Sequence, residues 1–444
     1  MKRRVVITGL GVVTPVGLGI EATFDALIEK RCGIRRIQAF DPTRFSSQVG
    51  GEIGAFKVQD YIPKSYAKTK KVMARDIELA VAAAYLAVRD AGLKTRCIIE
   101  RGEADGATTP NIDPTRFGAN IGAGLICADL NELAGALTTA VENPTAPRDR
   151  VFSLKKWGRE GMSNLTPLWL LKFLPNMLAC HVTIVHDAQA PSNTLTCGEA
   201  SSHLAVGEAF RTIQRGAADI CMCGGAESKL NPMGLIRQSL LGRLATDSND
   251  CPESACRPFD RNRRGTVISE GGGLLILEEL EHARARGARI YAEVAGFGAS
   301  RGTSPDGRGV RLAVQKALAD AAAGPDSVEL ANLGGVGTVA DDAAEASGFR
   351  AALGPAGARV PVLVTKGAIG NNGAGSGAID LAVLALAMHR GVVPPSLNTD
   401  DVDPACGISV VRGDPRDLRA GVAVSAAAAL SGGQTAAIVM RRWN

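Results

Sequence analysis

Aromatic side chains are scarce in this 444-residue chain, at 4%. No run of residues approaches the ~20 consecutive apolar positions of a membrane-spanning helix, so none is expected. Ten cysteines are present without a paired framework, and only Cys221 and Cys223 are close-set. One residue between two thiols is a poor zinc spacing. That usage fits reduced core thiols in a cytoplasmic protein. Residues 1–8 are basic and then only briefly apolar, which reads as a first strand and not as a signal peptide. Charge of either sign is nearly balanced, with a formal excess of +5. So mild an excess argues against nucleic acid as the main partner.

What the chain does have is glycine, 52 residues of it, within a composition 45% hydrophobic. Such a balance suits buried parallel strands wrapped by closely packed helices. The length calls for two packed units or one large α/β domain. Residues 5–14, 117–125 and 218–226 read as strands ending in glycine turns. Residues 21–29 and 77–91 have helical spacing, 98–116 is polar and reads as an exposed loop, and 163–179 reads as an apolar helix. A second series begins near residue 257. It has strands at 290–299 and 360–365, helices at 309–323 and 378–390, and a closing hairpin over 421–440. This weak internal repeat predicts two related α/β halves, 1–256 and 257–444.

The segment Ala190 to Gly207 is an apolar strand turning sharply into a helix, with Cys197, Gly198 and Glu199 at the turn. It resembles the nucleophile elbow of the β-ketoacyl synthases, with Pro191, Ser201 and Gly207 on the family's proline, serine and last glycine. Glu199 then stands where that family has its cysteine. The resemblance extends along nearly the whole chain. It includes Arg4 to Pro15, Ala255 to Gly265 (with Arg264 and Thr266 as departures), Glu270 to Glu279 and Val392 to Thr399. It implies a thiolase-like fold, five layers of α-β-α-β-α, working as a dimer.

In that family two histidines assist the cysteine. Here Val336, in Leu333 to Thr338, and Asn371, after Thr365 and Lys366, stand in their slots, while Asp342 and Glu345 match a D-x-x-E pattern. Lys366 and Glu345 are expected to survive as scaffold, as a buried ion pair. None of the five histidines lies in either signature. His203, one helical turn after Glu199, reads as a packed helix residue. Both phenylalanines of the family's gating loop are replaced, by Ala429 and Ser431. Cys197 would precede the helix and lack both its dipole and a histidine to activate it, so it reads as a buried structural thiol.

A carboxylate at a helix start gains roughly 0.3–1 kcal/mol and imitates a thiolate's charge, but it cannot carry an acyl thioester. The resemblance therefore implies a chain-length factor: a ketosynthase-like subunit without condensing activity. It would pair with an active ketosynthase as a heterodimer, bind a growing acyl chain and work on an acyl carrier protein in polyketide or fatty-acid-like assembly. Three alternatives stand beside it: a malonyl-carrier-protein decarboxylase using Glu199 and Asn371, a condensing enzyme using Cys197, and a non-catalytic homodimeric acyl-binding protein. No cofactor is expected. The glycines of 370–377 lack the Gly-Lys-Ser/Thr of a P-loop and the acidic partner of a dinucleotide fold. Lys64, Lys68, Lys70, Lys71 and Arg75 form the densest basic run. It is either a solvated face or, as the resemblance implies, the docking site of the acidic carrier protein.

Overall fold

Among the described residues a 12-stranded sheet forms, and ten of its strands occur as two sets of five with one strand order. In the first set β1 is Val5–Thr14, β2 Phe117–Ala123, β3 Ser192–Leu195, β4 Ile220–Ser228 and β5 Glu270–Glu279. In the second, β6 is Ala292–Arg301, β7 Leu330–Asn332, β8 Pro361–Leu363, β9 Val422–Ala428 and β10 Gln434–Arg442. The orders are β3-β2-β4-β5-β1 and β8-β7-β9-β10-β6, so the repeat expected from sequence is present in the topology. Its pairings match as well. β2 runs parallel to β4 as β7 does to β9, and β4 is antiparallel to β5 as β9 is to β10. The strand order sets β5 with the first half. β1 and β6 join the halves through the pairing of Val5 with Val294. The computed structural model describes residues 3–146, 148–302, 306–430 and 432–443.

Strands buried on both faces need cover on both, and helices supply it. Helices α3 (Ser201–Gln214) and α6 (Ser376–Arg390) lie between the two sheets and touch strands of both. Helices α1 (Arg75–Asp90) and α2 (Met177–His186) cover the first sheet outside, and α4 (Arg308–Asp320) with α5 (Val339–Leu353) cover the second. Five layers result, the thiolase-like arrangement. Close approach requires glycine at particular strand positions. A Cβ on Gly11 would stand 2.2 Å from the Ala83 carbonyl of α1, which forces any larger residue out.

Two expectations need correction. Residues 163–179 do not form one helix. Short turns of 3-10 helix at Met162–Asn164 and Trp169–Phe173 precede α2, and Leu168 sits at φ +63°. Pro167 and Pro175 cannot donate to a helical ladder, which accounts for the interruption. Within 98–116 the polar loop also holds the end of a short helix, Arg96–Glu100, and a 3-10 turn at Pro114–Arg116. Among the described residues no helix is long and apolar enough to cross a membrane.

Candidate active site

The elbow is built from β3, which pairs parallel to β2 from Ser192 to Leu195, and from α3. Between them Gly198 takes φ +55°. The nearest atom to a Cβ there would be 3.5 Å away, so the left-handed backbone and not lack of room selects glycine. The turn is closed by the Cys197 amide donating to Ser201 Oγ at 2.8 Å. It delivers Glu199, through the 3-10 turn Gly198–Ala200, to the N-terminal end of α3.

Glu199 is buried, and three donors converge on its carboxylate. Lys229 Nζ lies 3.1 Å and Asn371 Nδ2 3.2 Å from Oε1, and the Leu430 amide lies 3.1 Å from Oε2. Burial alone would push the carboxyl pKa up. The Lys229 charge, the carboxylate's own backbone amide and the Leu430 amide outweigh it, and hold the group at about 2. Lys229 is buried in turn; desolvation works against its charge, but Glu199 and Glu227 raise its pKa above the ordinary value. The elbow therefore holds a fixed ion pair at neutral pH. It offers neither a nucleophilic thiolate nor a base near pH 7.

Asn371 stands beside Glu199 as the two motifs require. Its Oδ1 accepts from the Gly373 amide at 2.9 Å, which fixes Nδ2 toward the carboxylate. One of its two Nδ2 hydrogens is thereby used inside the protein. Val336 is buried in a loop strapped down by two carboxylates. Glu345 accepts from the amides of Gly334 and Gly335, each at 2.8 Å, and Asp342 accepts from Val336 at 2.8 Å and from Gly337. The D-x-x-E pair thus holds backbone. The expected ion pair of Lys366 with Glu345 is not formed: Lys366 Nζ bonds Asp380 Oδ2 of α6 at 3.1 Å. Asp380 is one turn into the buried helix, while each Glu345 oxygen already accepts from a backbone amide.

Two cavities meet at Glu199. One, of about 400 Å³, is lined largely by glycine and alanine with Val310, Val336, Glu345, Lys366 and Asp380. The other, of about 560 Å³, carries Cys197, Lys229, Arg237 and Arg243. None of the five histidines lines either cavity. Cys197 is half-buried and faces the second cavity, which corrects the expectation of a buried structural thiol. Burial still raises its pKa, and no neighbouring charge lowers it. His203 is the packed helix residue expected. Its Nε2 lies 2.8 Å from Ser425 Oγ, which itself donates to Asn332. Its ring packs on Gly377, where a Cβ would stand 2.4 Å from Nδ1. Ala429 lines the first cavity, and Ser431, the other altered gate position, lies outside the described residues.

Sequence reasoning missed Lys229. It sits 30 positions from Glu199, just past β4, and no spacing rule links them. The signal was a strand of apolar and small residues, Ile220 to Ala226, that ends in Glu227, Ser228 and Lys229. Two charged residues at alternate positions on a strand buried on both faces must find partners inside.

Among the basic run, Lys64, Lys68, Lys70 and Lys71 are exposed on a 3-10 stretch, Lys64–Val72. Arg75 is not part of that surface. Its guanidinium is bidentate to Glu270 at 2.9 Å and stacks on Phe56 at 4.8 Å. It ties α1 to β5 and is committed to the fold.

Residues 2–283 match the model for the β-ketoacyl synthase N-terminal domain, and residues 291–400 match that for its C-terminal domain. A 3-oxoacyl-[acyl-carrier-protein] synthase 2 of Synechocystis sp. is 33% identical, over 96% of this chain and 94% of the relative. The tetracenomycin polyketide synthase ketoacyl synthase alpha subunit of Streptomyces glaucescens is 32% identical, over 99% and 97%. Among solved structures, the ishigamide ketosynthase/chain length factor superposes with a TM-score of 0.82 at 26% identity, covering both chains completely. A type II polyketide synthase acyl-carrier protein in complex with its ketosynthase bound to the hexaketide gives the same TM-score, identity and coverage.

Proposed function

Because the chain belongs to the β-ketoacyl synthase family yet carries a paired carboxylate at its elbow, we propose that it is a condensation-deficient subunit, a chain-length factor, partnered by an active ketosynthase. The Glu199–Lys229 ion pair carries this reading. Thioester transfer needs a nucleophile that can leave again, and a carboxylate held at about 2 by an ammonium supplies none. Val336 and Asn371 add no base. The decarboxylase alternative is less well served by the same geometry, since Glu199 and Asn371 are bonded to each other and Glu199 also to Lys229.

The surface supports partnering. Leu125, Val151, Leu154, Leu168 and Leu170 are large apolar residues between 58% and 78% exposed, and all fall within one stretch of sequence. Where such groups form one contiguous patch they mark an interaction surface. Strand β3 ends the sheet order, so its outer edge has no neighbour, and its Ser192 and Asn193 are exposed. An edge of that kind invites pairing with a second chain. The partner would supply the cysteine and histidines, and this chain would supply wall. The exposed lysines at 64, 68, 70 and 71 would receive the acidic carrier protein. Likeness to type II polyketide ketosynthases supports polyketide assembly, with fatty-acid-like assembly as the second setting.

Co-expression with a cysteine-bearing ketosynthase tests the pairing. A one-to-one complex on gel filtration and native mass spectrometry is expected. Two separate homodimers would overturn it.

A further inference from the structure

We propose that Lys229 Nζ, Asn371 Nδ2 and the Leu430 amide form a carboxylate-binding cradle that this chain fills with its own Glu199. The three donors approach from different elements: the end of β4, the turn before α6, and the loop after β9. Each is positioned independently of Glu199. Asn371 is oriented by the Gly373 amide, and its backbone is held between Val267 and Ser269. Lys229 is anchored through its own amide, which donates to the Ser269 carbonyl at 3.2 Å. Leu430 belongs to a turn braced by Arg243, whose guanidinium bonds the Leu430 carbonyl. An ammonium nine-tenths buried needs an anion beside it whichever molecule provides one.

Both cavities reach this point, so the resident carboxylate sits where a ligand entering from either side would arrive. Its presence has a consequence for specificity. A ligand bearing a free carboxylate finds its donors taken and a like charge in place. On the Val310 and Val336 side a neutral chain meets a wall mostly of glycine and alanine, in which Lys366 is already paired with Asp380 and Glu345 is held by backbone amides. The inference rests on the reading of a non-condensing site and sharpens it: this subunit turns away carboxylate-bearing acyl units and leaves them to its partner.

The test uses the isolated chain with acetate and malonate as probes, so it is independent of whether a ketosynthase partner exists. Glu199→Ala empties the cradle and removes the carboxylate hydrogen-bonded to Lys229, leaving Glu227 as its remaining charged neighbour. Its melting temperature should rise with acetate or malonate up to 100 mM, with chloride at equal ionic strength as the control. Binding should be saturable and at least tenfold tighter than in the wild type. Glu199→Gln keeps the gap filled and should show no carboxylate response. Glu199→Ala combined with Lys229→Met should lose it. If Glu199→Ala does not fold, Glu199→Ser provides the same gap with a small polar group, and acetate-dependent recovery of folded protein is the equivalent readout. A folded Glu199→Ala or Glu199→Ser that is indifferent to carboxylate, or a response that survives Lys229→Met, overturns the proposal. Failure of heterodimer formation would instead strike the underlying subunit reading and leave this result standing.

Discussion

Lys229 Nζ lies 3.1 Å from Glu199 Oε1, and each side chain is 10% exposed. Opposite charges that close inside a protein persist only if each compensates the other's desolvation. Removing one partner strands the other. Lys229→Met should therefore cost about 3–5 kcal/mol in urea unfolding. Lys229→Met with Glu199→Gln should recover part of that loss, because the Glu199 charge goes with its partner while buried Glu227 still lacks the ammonium. A double variant no more stable than Lys229→Met would mean the pair is not the source of the effect.

Histidine burial sets an acid sensitivity. Burial, aided by Arg96 and Lys366 respectively, lowers His186 and His203 to about 3, against an ordinary value of 6.5. Below pH 6.5 the unfolded chain takes up these protons and the folded chain does not, so stability falls with pH between about 6.5 and 3. Each pKa unit is worth about 1.4 kcal/mol, so each histidine removes ~2 kcal/mol between pH 6.5 and 5. Replacing His203 by Gln should abolish that share. The check is the difference between wild-type and variant stability at pH 7 and at pH 5, in which all other titrating groups cancel.

Basic residues divide into two roles. Lys70→Glu with Lys71→Glu should weaken carrier-protein binding at least tenfold at low salt and leave the melting temperature nearly unchanged. Arg75→Ala should do the reverse. It breaks a bidentate bond to buried Glu270, and the destabilisation expected is about 3 kcal/mol. Calorimetry and surface plasmon resonance on the two variants separate the roles.

Cysteine accessibility gives a chemical check on the elbow. Cys251 is exposed, whereas Cys197 is half-buried with a pKa raised by burial and no cationic or histidine partner. Iodoacetamide at pH 7.5 should modify Cys251 first and Cys197 much more slowly, read by peptide mass mapping. An activated nucleophile at Cys197 would reverse that order.

Much of this was readable in the chain itself because the signals are local. Gly198, Glu199 and Ser201 lie in one short turn. Val336 sits in a motif whose backbone is fixed by Asp342 six residues away, and Asn371 in one whose side chain is set by the nearby Gly373 amide. The repeat of strands was visible through glycine-ended apolar runs. What could not be read depends on pairing across the fold. Lys366 pairs with Asp380, which a helix places within 3.1 Å, while both Glu345 oxygens are engaged by backbone amides. Lys229 met Glu199 because β4 and the elbow strand β3 flank β2 in parallel and end on the same side of the sheet, a consequence of sheet order and not of spacing. The break at 163–179 turned on prolines that override an apolar pattern.

The central claim is that this chain does not itself condense acyl units. Purified alone, it should be incubated with acyl-carrier protein and malonyl-carrier protein and weighed intact. No acyl adduct and no chain-extended product are predicted, with both appearing once a cysteine-bearing ketosynthase is added. A stable acyl adduct on Cys197, or extension by the chain alone, would contradict the account.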